Sequence, residues 1–371
     1  MRLALEREGW QIALANDIDP DKEEMYNANF SDADRHFLLG DIHHISPTEV
    51  PTVSLATASF PCNDLSLAGA REGLRGENSS AFWGFVNVLK NLKTRRPPLI
   101  LIENVTGFLT SHEGRDFEDA LLALNDIGYA VDPFILDASW WVPQSRQRLF
   151  VAGINQRSSE TNCLEEKFFE SRLRPPSLAE FIFSHPDINW RIRKLPEAPK
   201  GESHLDDILE DLPPKSPEWW SKPRAEYLLN QMSSRHRQVA DRMMQGNSWS
   251  YGTVFRRIRN SKSMAELRTD GLAGCLRTPR GGSGRQILFK AGRGEYHARL
   301  LTPRECARLM GAGDFKITVP LNQALFGFGD AVCVPAVQWI ARNYLNPVLE
   351  ELDPPVLPRA SYGSTPVKYA R

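Results

Sequence analysis

Two hydrophobic periods alternate along the first 154 residues. Predominantly apolar runs at 11–15, 36–39, 53–60, 99–102 and 148–154 have the length and composition of buried strands. Between them, residues 80–92 and 117–127 repeat apolar positions every three to four residues, as one face of a helix does, and residues 3–7 make a short helical start. Strands alternating with helices predict an α/β fold, with a doubly wound, mostly parallel sheet covered on both faces. Right-handed crossovers then bring the C-terminal ends of the strands to one edge. In open sheets of this class, ligands bind on that edge.

The periodicity stops after residue 154. From about 155 to 275 the chain is rich in Pro, Trp and Arg, as in Arg174-Pro175-Pro176, Trp219-Trp220 and Phe255-Arg256-Arg257-Ile258-Arg259. Near Leu301 the α/β pattern returns, with Pro303 suited to the first turn of a helix. The expected division is a first domain over 1–154, an inserted smaller domain over 155–290, a return to the first domain over 291–352, and a tail over 353–371. Four prolines in that tail predict loose order.

Charge sharpens this division. The 371 residues carry a net charge of −1, yet residues 1–150 hold 13 Lys/Arg against 22 Asp/Glu, while residues 222–300 hold 16 against 5. A basic segment of this size is what a phosphate backbone attracts. Five cysteines without a CxxC pair argue against a disulfide framework or a zinc site and fit a reducing cytoplasm. No apolar run approaches the roughly 18 residues of a membrane helix, and the first residues lack the pattern of a signal peptide.

Four short pieces carry the chemistry: Pro61-Cys62-Asn63-Asp64-Leu65-Ser66, Glu103-Asn104-Val105, Gln144-Ser145-Arg146-Gln147-Arg148 and Gly329-Asp330-Ala331-Val332. The first places a thiol after one apolar run, and the second a carboxylate after another. Carbon 5 of cytosine is too weak a nucleophile to take a methyl group unaided. A thiolate adding at carbon 6 activates it, and a proton source at N3 stabilises the adduct. Cys62 is the candidate nucleophile. Glu103 is the candidate acid, a role that calls for partial burial. Arg146 and Arg148, two apart on an extended segment, share a face.

In order and spacing these pieces resemble the DNA cytosine-5 methyltransferase family over essentially the whole chain. The resemblance implies a methyl transfer from S-adenosylmethionine to a cytosine flipped out of double-stranded DNA, with no metal. It assigns Arg148 to the cytosine O2 and Arg146 to support of the cleft, and it gives Ser66 a place on the catalytic loop. Cofactor contacts fall on Asp17 and Ile18, on Asp41 and Ile42, and on Pro61, Asp330 and Val332. In the basic insert, the expected target-recognition domain, Arg256, Arg257, Arg259, Arg277, Arg280 and Arg285 are the candidate DNA contacts. The chain departs from the family at three places. Asn63 stands where Gln is usual, and Asp330 where Asn is usual. The chain opens at the helix that normally follows a glycine-rich cofactor turn, so the first central strand is expected to be missing. The resemblance also implies a bacterial restriction–modification or defence setting and a monomer. Two rival readings are a DNA-binding remnant without a working cofactor site and a transfer-RNA cytosine methyltransferase.

Overall fold

The computed structural model describes residues 1–60, 80–155, 171–259, 262–278, 284–352 and 368–370. Within them the chain forms two compact units. The first comprises 1–137, 147–198 and 336–371, and the second 138–146 and 199–335. Both boundaries of the insert thus differ from expectation. Residues 155–198 group with the first unit because Arg174 is buried there, its Nη2 donating to Asp132 Oδ1 at 2.6 Å. Residues 291–335 group with the second, since Glu295–Leu300 is a strand of that unit's own sheet.

Six strands build the sheet of the first unit: β1 (Trp10–Ile12), β4 (Leu55–Ser59), β5 (Leu99–Val105), β6 (Tyr129–Asp137), β7 (Gln147–Asn155) and β12 (Lys368–Ala370), in the order β1-β12-β4-β5-β7-β6. β2 (Ala15–Asp17) and β3 (Phe37–Leu39) form a separate parallel pair. The predicted strand at 11–15 is therefore split, breaking at Ala13-Leu14. From β1 to β5 the pairs are parallel, and β7 runs antiparallel to both its neighbours. Tyr129–Asp137 is a strand the periodicity did not indicate, because Asp132 and Pro133 interrupt it. Proline is tolerated there since β6 lies at the sheet edge.

The centre of the sheet corrects another expectation. Among the described residues no gap stands between β1 and β4: β12 lies parallel between them in register Trp10↔Lys368, Gln11↔Tyr369, Ile12↔Ala370 and Ala370↔Leu55. Backbone groups that would otherwise be buried without partners are paired by it. Part of the proline-bearing tail is thus a strand.

Helices follow from local signals. α1 (Arg2–Arg7) leads into β1. α2 (Pro20–Asn29) starts at Asp19, whose side chain accepts from Asp21 N at 2.9 Å, with Pro20 in the first turn. α3 (Ser80–Asn91) buries Phe82, Phe85, Val86 and Leu89, a single stripe at helical spacing. With Phe117, Leu121 and Leu124 of α4 (Arg115–Asp126), this stripe joins the core formed by β4, β5 and β7. β5 carries apolar residues to both faces because helices cover both, as its continuous apolar run implied.

The second unit has its own four-stranded antiparallel sheet, in the order β11-β10-β8-β9: β8 (Ser250–Arg259), β9 (Lys262–Arg268), β10 (Ile287–Gly292) and β11 (Glu295–Leu300). One face packs on α6 (Lys222–Asn230) and α7 (Ser234–Met244) through Val254, Ala265, Ile287 and Phe289. The helical run Leu321–Glu351 has the length and composition of a membrane span, which the sequence reading did not register. However, 61% of its most apolar window is buried within the protein, as in a core helix.

Candidate active site

β4 and β5 are in register at Ser59↔Glu103, so these two side chains meet at the C-terminal end of the parallel strands. Ser59 Oγ donates to Glu103 Oε2 at 2.6 Å. Arg148, at the start of β7, faces Glu103 from the other side, with Nε 2.9 Å from Oε1. Side-chain exposure is 5% for Glu103 and 16% for Arg148. The guanidinium offsets the buried charge, yet its N–H is not aligned for a hydrogen bond. Among the described residues, Oε1 has no hydrogen-bond donor. A buried carboxylate oxygen without a donor costs free energy unless something else meets it. The neighbouring Asn104 is turned inward: its amide donates to Phe60 O at 3.3 Å and its oxygen accepts from Val105 N. This pins the backbone just past the carboxylate. The α-amino group of Met1 belongs to the same unit. Loss of water pushes its pKa down, and the charge of Glu103 opposes that shift.

Pro61, Cys62 and Ser66 lie outside the described residues, as does Arg280. Phe60, which immediately precedes Pro61, is buried against Phe82 and Phe108 with ring centroids 5.4 and 6.0 Å away.

The ends of β2 and β3 gather the nucleoside candidates. Asp17 closes β2, and its backbone oxygen accepts from Gly40 N at 2.9 Å, bringing Asp41 alongside. Ile18 is 67% exposed and Leu39 46%, and Leu39 stands opposite Asp17 in the strand register. Each acid spends one oxygen on a local turn, Asp17 on Asp19 N at 3.0 Å and Asp41 on His43 N at 2.9 Å. Apolar surface flanked by acceptors suits a purine and its ribose hydroxyls, so these residues fit the nucleoside half of such a cofactor. Ile42 packs under α3, where its Cγ2 would lie 2.6 Å from a Cβ added at Gly84.

Within the second unit, Arg146 is buried and precedes β7, so the two arginines do not share one strand as the spacing suggested. Its guanidinium binds carbonyls: Leu276 O at 2.8 Å, Gly329 O at 3.0 Å and Ala331 O at 2.8 Å. Arg146 thereby clamps the Gly329-Asp330-Ala331 corner. Gly329 is required there because an added Cβ would stand 2.6 Å from the carbonyl carbon of Arg277. Asp330 accepts from the Thr278 hydroxyl, and Val332 is buried. Sequence reasoning gave no role to Gln144, which is fully buried, donates to Leu309 O at 2.8 Å and accepts from Leu276 N at 3.0 Å. It also missed Ser59, whose only signal was its place one residue from the end of an apolar run.

The basic candidates divide. Arg256, Arg257 and Arg259 lie on β8, and Arg277 is exposed. Arg285 is held by Asn322, with Nη2 to Oδ1 at 2.6 Å.

The model of the family described as C-5 cytosine-specific DNA methylase matches residues 1–346. The chain is 26% identical over 351 residues to the type II methyltransferase M.DsaV of Dactylococcopsis salina, covering 93% of this chain and 83% of that protein. It is 23% identical over 344 residues to M.HhaI of Haemophilus parahaemolyticus, covering 92% and 90%. Among solved structures it is similar to the S. pombe Dnmt2 methyltransferase, with a TM-score of 0.59 at 19% identity over 95% of each chain. The match over residues 1–346 decides the assignment: the chain belongs to the C-5 cytosine-specific DNA methylase family.

Proposed function

We infer that this chain methylates carbon 5 of a cytosine extruded from a specific duplex sequence, through a covalent adduct on Cys62. The observation that carries the reading is the buried Glu103, braced by Ser59 at one oxygen and set against Arg148 at the other. S-adenosylmethionine, the methyl donor of this family, supplies an electrophilic methyl group. Asp17, Ile18 and Asp41 would hold its nucleoside half.

The chemistry then runs on this chain's side chains. The Cys62 thiolate forms a bond to carbon 6, and the electron pair released from the C5–C6 double bond moves toward N3 and carbon 5. Glu103 Oε1 meets N3 and holds a proton there, so negative charge does not build up on the ring. Arg148 faces the cytosine O2 and stabilises the same electron shift. Carbon 5 takes the methyl group, a base removes its proton, and expulsion of the thiolate restores the double bond. One methyl group is gained and one proton lost. Arg146 acts at a remove, positioning the Gly329 corner. A restriction–modification setting and action as a monomer complete the reading; the named type II relatives support the former.

Duplex DNA with fluorine in place of hydrogen at carbon 5 of cytosine tests this directly. After methylation no proton is left to remove, so the protein should stay covalently attached in a denaturing gel, and the Cys62→Ala variant should give no adduct. Absence of both an adduct and radiolabelled methyl transfer to unmodified duplex overturns the reading. Transfer to tRNA but not to duplex overturns the substrate alone.

A further inference from the structure

β10 pairs with β8 only from Ser250 to Val254. Beyond that point β8 and β9 continue as a two-stranded ribbon, in register Phe255↔Glu266, Arg256↔Ala265, Arg257↔Met264, Ile258↔Ser263 and Arg259↔Lys262. Ala265 still touches the segment before α7, its N–H donating to Gln231 O at 3.0 Å. Past it, Arg257, Ile258, Arg259, Lys262 and Ser263 are all exposed. From Phe255 to Glu266 the ribbon carries four Arg/Lys and one acid, Glu266.

Alternation sorts this outer part into two faces. Arg257, Arg259, Lys262 and Met264 share one with Phe255 and Glu266. Arg257 lies over the Phe255 ring at 5.3 Å, and Arg259 pairs with Glu266 at 2.8 Å. Ile258 and Ser263 share the other face with Arg256. That second face extends the line of Val254 and Ala265, which are fully buried against the helices, but no helix reaches Ile258. Ile258 is consequently 68% exposed, the highest exposure among the large hydrophobic residues described. A β-branched apolar side chain left in water between two arginines gains nothing for the fold.

We propose that this ribbon enters the major groove of the target duplex, with Arg257, Arg259 and Lys262 on phosphates and Ile258 packed against the methyl group of a thymine. The proposal rests on the duplex-methyltransferase reading and names the element and the side chain that read sequence. A major groove of about 12 Å admits a two-stranded ribbon, and the thymine methyl is the apolar feature displayed there. Cationic side chains on the ribbon match the phosphates that line the groove, and contacts to those phosphates fix its depth.

Competition binding on two duplex pools separates the roles: one of random sequence, the other identical but with every thymine replaced by deoxyuracil, which lacks only the methyl. The full chain should favour the thymine pool by about fourfold, the worth of one buried methyl, and Ile258→Ala should abolish that preference. Arg257→Gln with Arg259→Gln should weaken binding to both pools alike. It should also lower the slope of log affinity against log salt by about two. All three side chains are exposed, and unchanged melting temperatures confirm that the variants fold. The proposal fails if the unaltered chain binds both pools equally, or if the double variant keeps the original affinity and salt slope. If the fluorocytosine adduct still forms in either case, the catalytic reading survives. Loss of both DNA binding and the adduct in the unaltered chain would sink the two together.

Discussion

Two of the arginine–carboxylate pairs among the described residues, Arg299–Glu305 and Arg148–Glu103, look alike in composition and differ in completeness. Arg299 and Glu305 lie within the second unit at 1% and 0% side-chain exposure. The guanidinium fork reaches both oxygens, with Nη1 to Oε2 at 2.7 Å and Nη2 to Oε1 at 2.5 Å. Thr302 N and Glu210 N add one donor to each oxygen, at 2.8 and 2.9 Å. Four donors leave Glu305 nothing to offer a ligand. Among the described residues Glu103 has one donor, from Ser59, and an arginine that approaches without hydrogen-bond alignment. The first pair closes a structure: it joins β11 to the capped start of α8 (Pro303–Leu309). The second is left open at a strand end. Completeness of hydrogen bonding, more than burial or charge, separates the closed pair from the one left with an open acceptor.

Substitution at each pair should break in opposite ways. Glu103→Gln keeps shape and volume but cannot hold the proton at N3. Single-turnover methyl transfer should fall by roughly 10²–10⁴-fold while the melting temperature hardly moves. Equal losses of stability and rate would make Glu103 a structural residue. Glu305→Ala should leave the Arg299 charge buried without its carboxylate and cost about 3–5 kcal/mol of stability, read by urea unfolding. If it costs less than a surface substitution, the contrast collapses. Gly329→Ala forces a Cβ against the Arg277 backbone, and overpacking of this kind costs about 1–3 kcal/mol. It should also slow methyl transfer, because the corner that Arg146 clamps must shift.

The smallest expected effect is a pH dependence. His36 is buried, with its Nε2 2.9 Å from Tyr26 Oη and 2.8 Å from Arg2 Nη1. Burial and the Arg2 charge hold its pKa below 6.5, against the opposing pull of Asp32 and Glu6. The folded protein therefore binds fewer protons here than the unfolded chain. Stability from this site is complete above pH 6.5 and is lost as pH falls from there through the lowered value. Asp32 is shifted downward by its bond to Arg2, so it titrates in a more acid range. Melting curves from pH 7.5 to 5.5 should show a decline that His36→Gln removes; an unchanged decline would assign the slope to other groups.

Much of this was legible from the chain because period and position carry physical meaning. The run at 99–102 placed Glu103 at a strand end, and the strand found there, Leu99–Val105, puts it beside Ser59 of the next one. Arg148 was legible as a pair with this end of the sheet only through the resemblance, since antiparallel pairing of β5 and β7 has no local signature. β6 was hidden by its proline, and the ribbon's projection by the fact that alternation says nothing about where a neighbouring strand stops. The carbonyl clamp of Arg146 was illegible for a related reason: the oxygens it holds, on Leu276, Gly329 and Ala331, are backbone atoms, and sequence does not encode which backbone a side chain will meet.

The position of β12 has a consequence for how the chain is made. Its partners, Trp10–Ile12 and Leu55–Ser59, leave the ribosome more than three hundred residues before Lys368–Ala370 do. Until then the edges of β1 and β4 lack the partner that β12 provides, and an unpaired edge is exposed to pairing with another chain. Contacts of such long sequence separation close late and slowly. Translation speed over the second unit thus sets how long the half-built sheet remains at risk of aggregation, and a chaperone that shields strand edges should act on this chain during synthesis rather than after it.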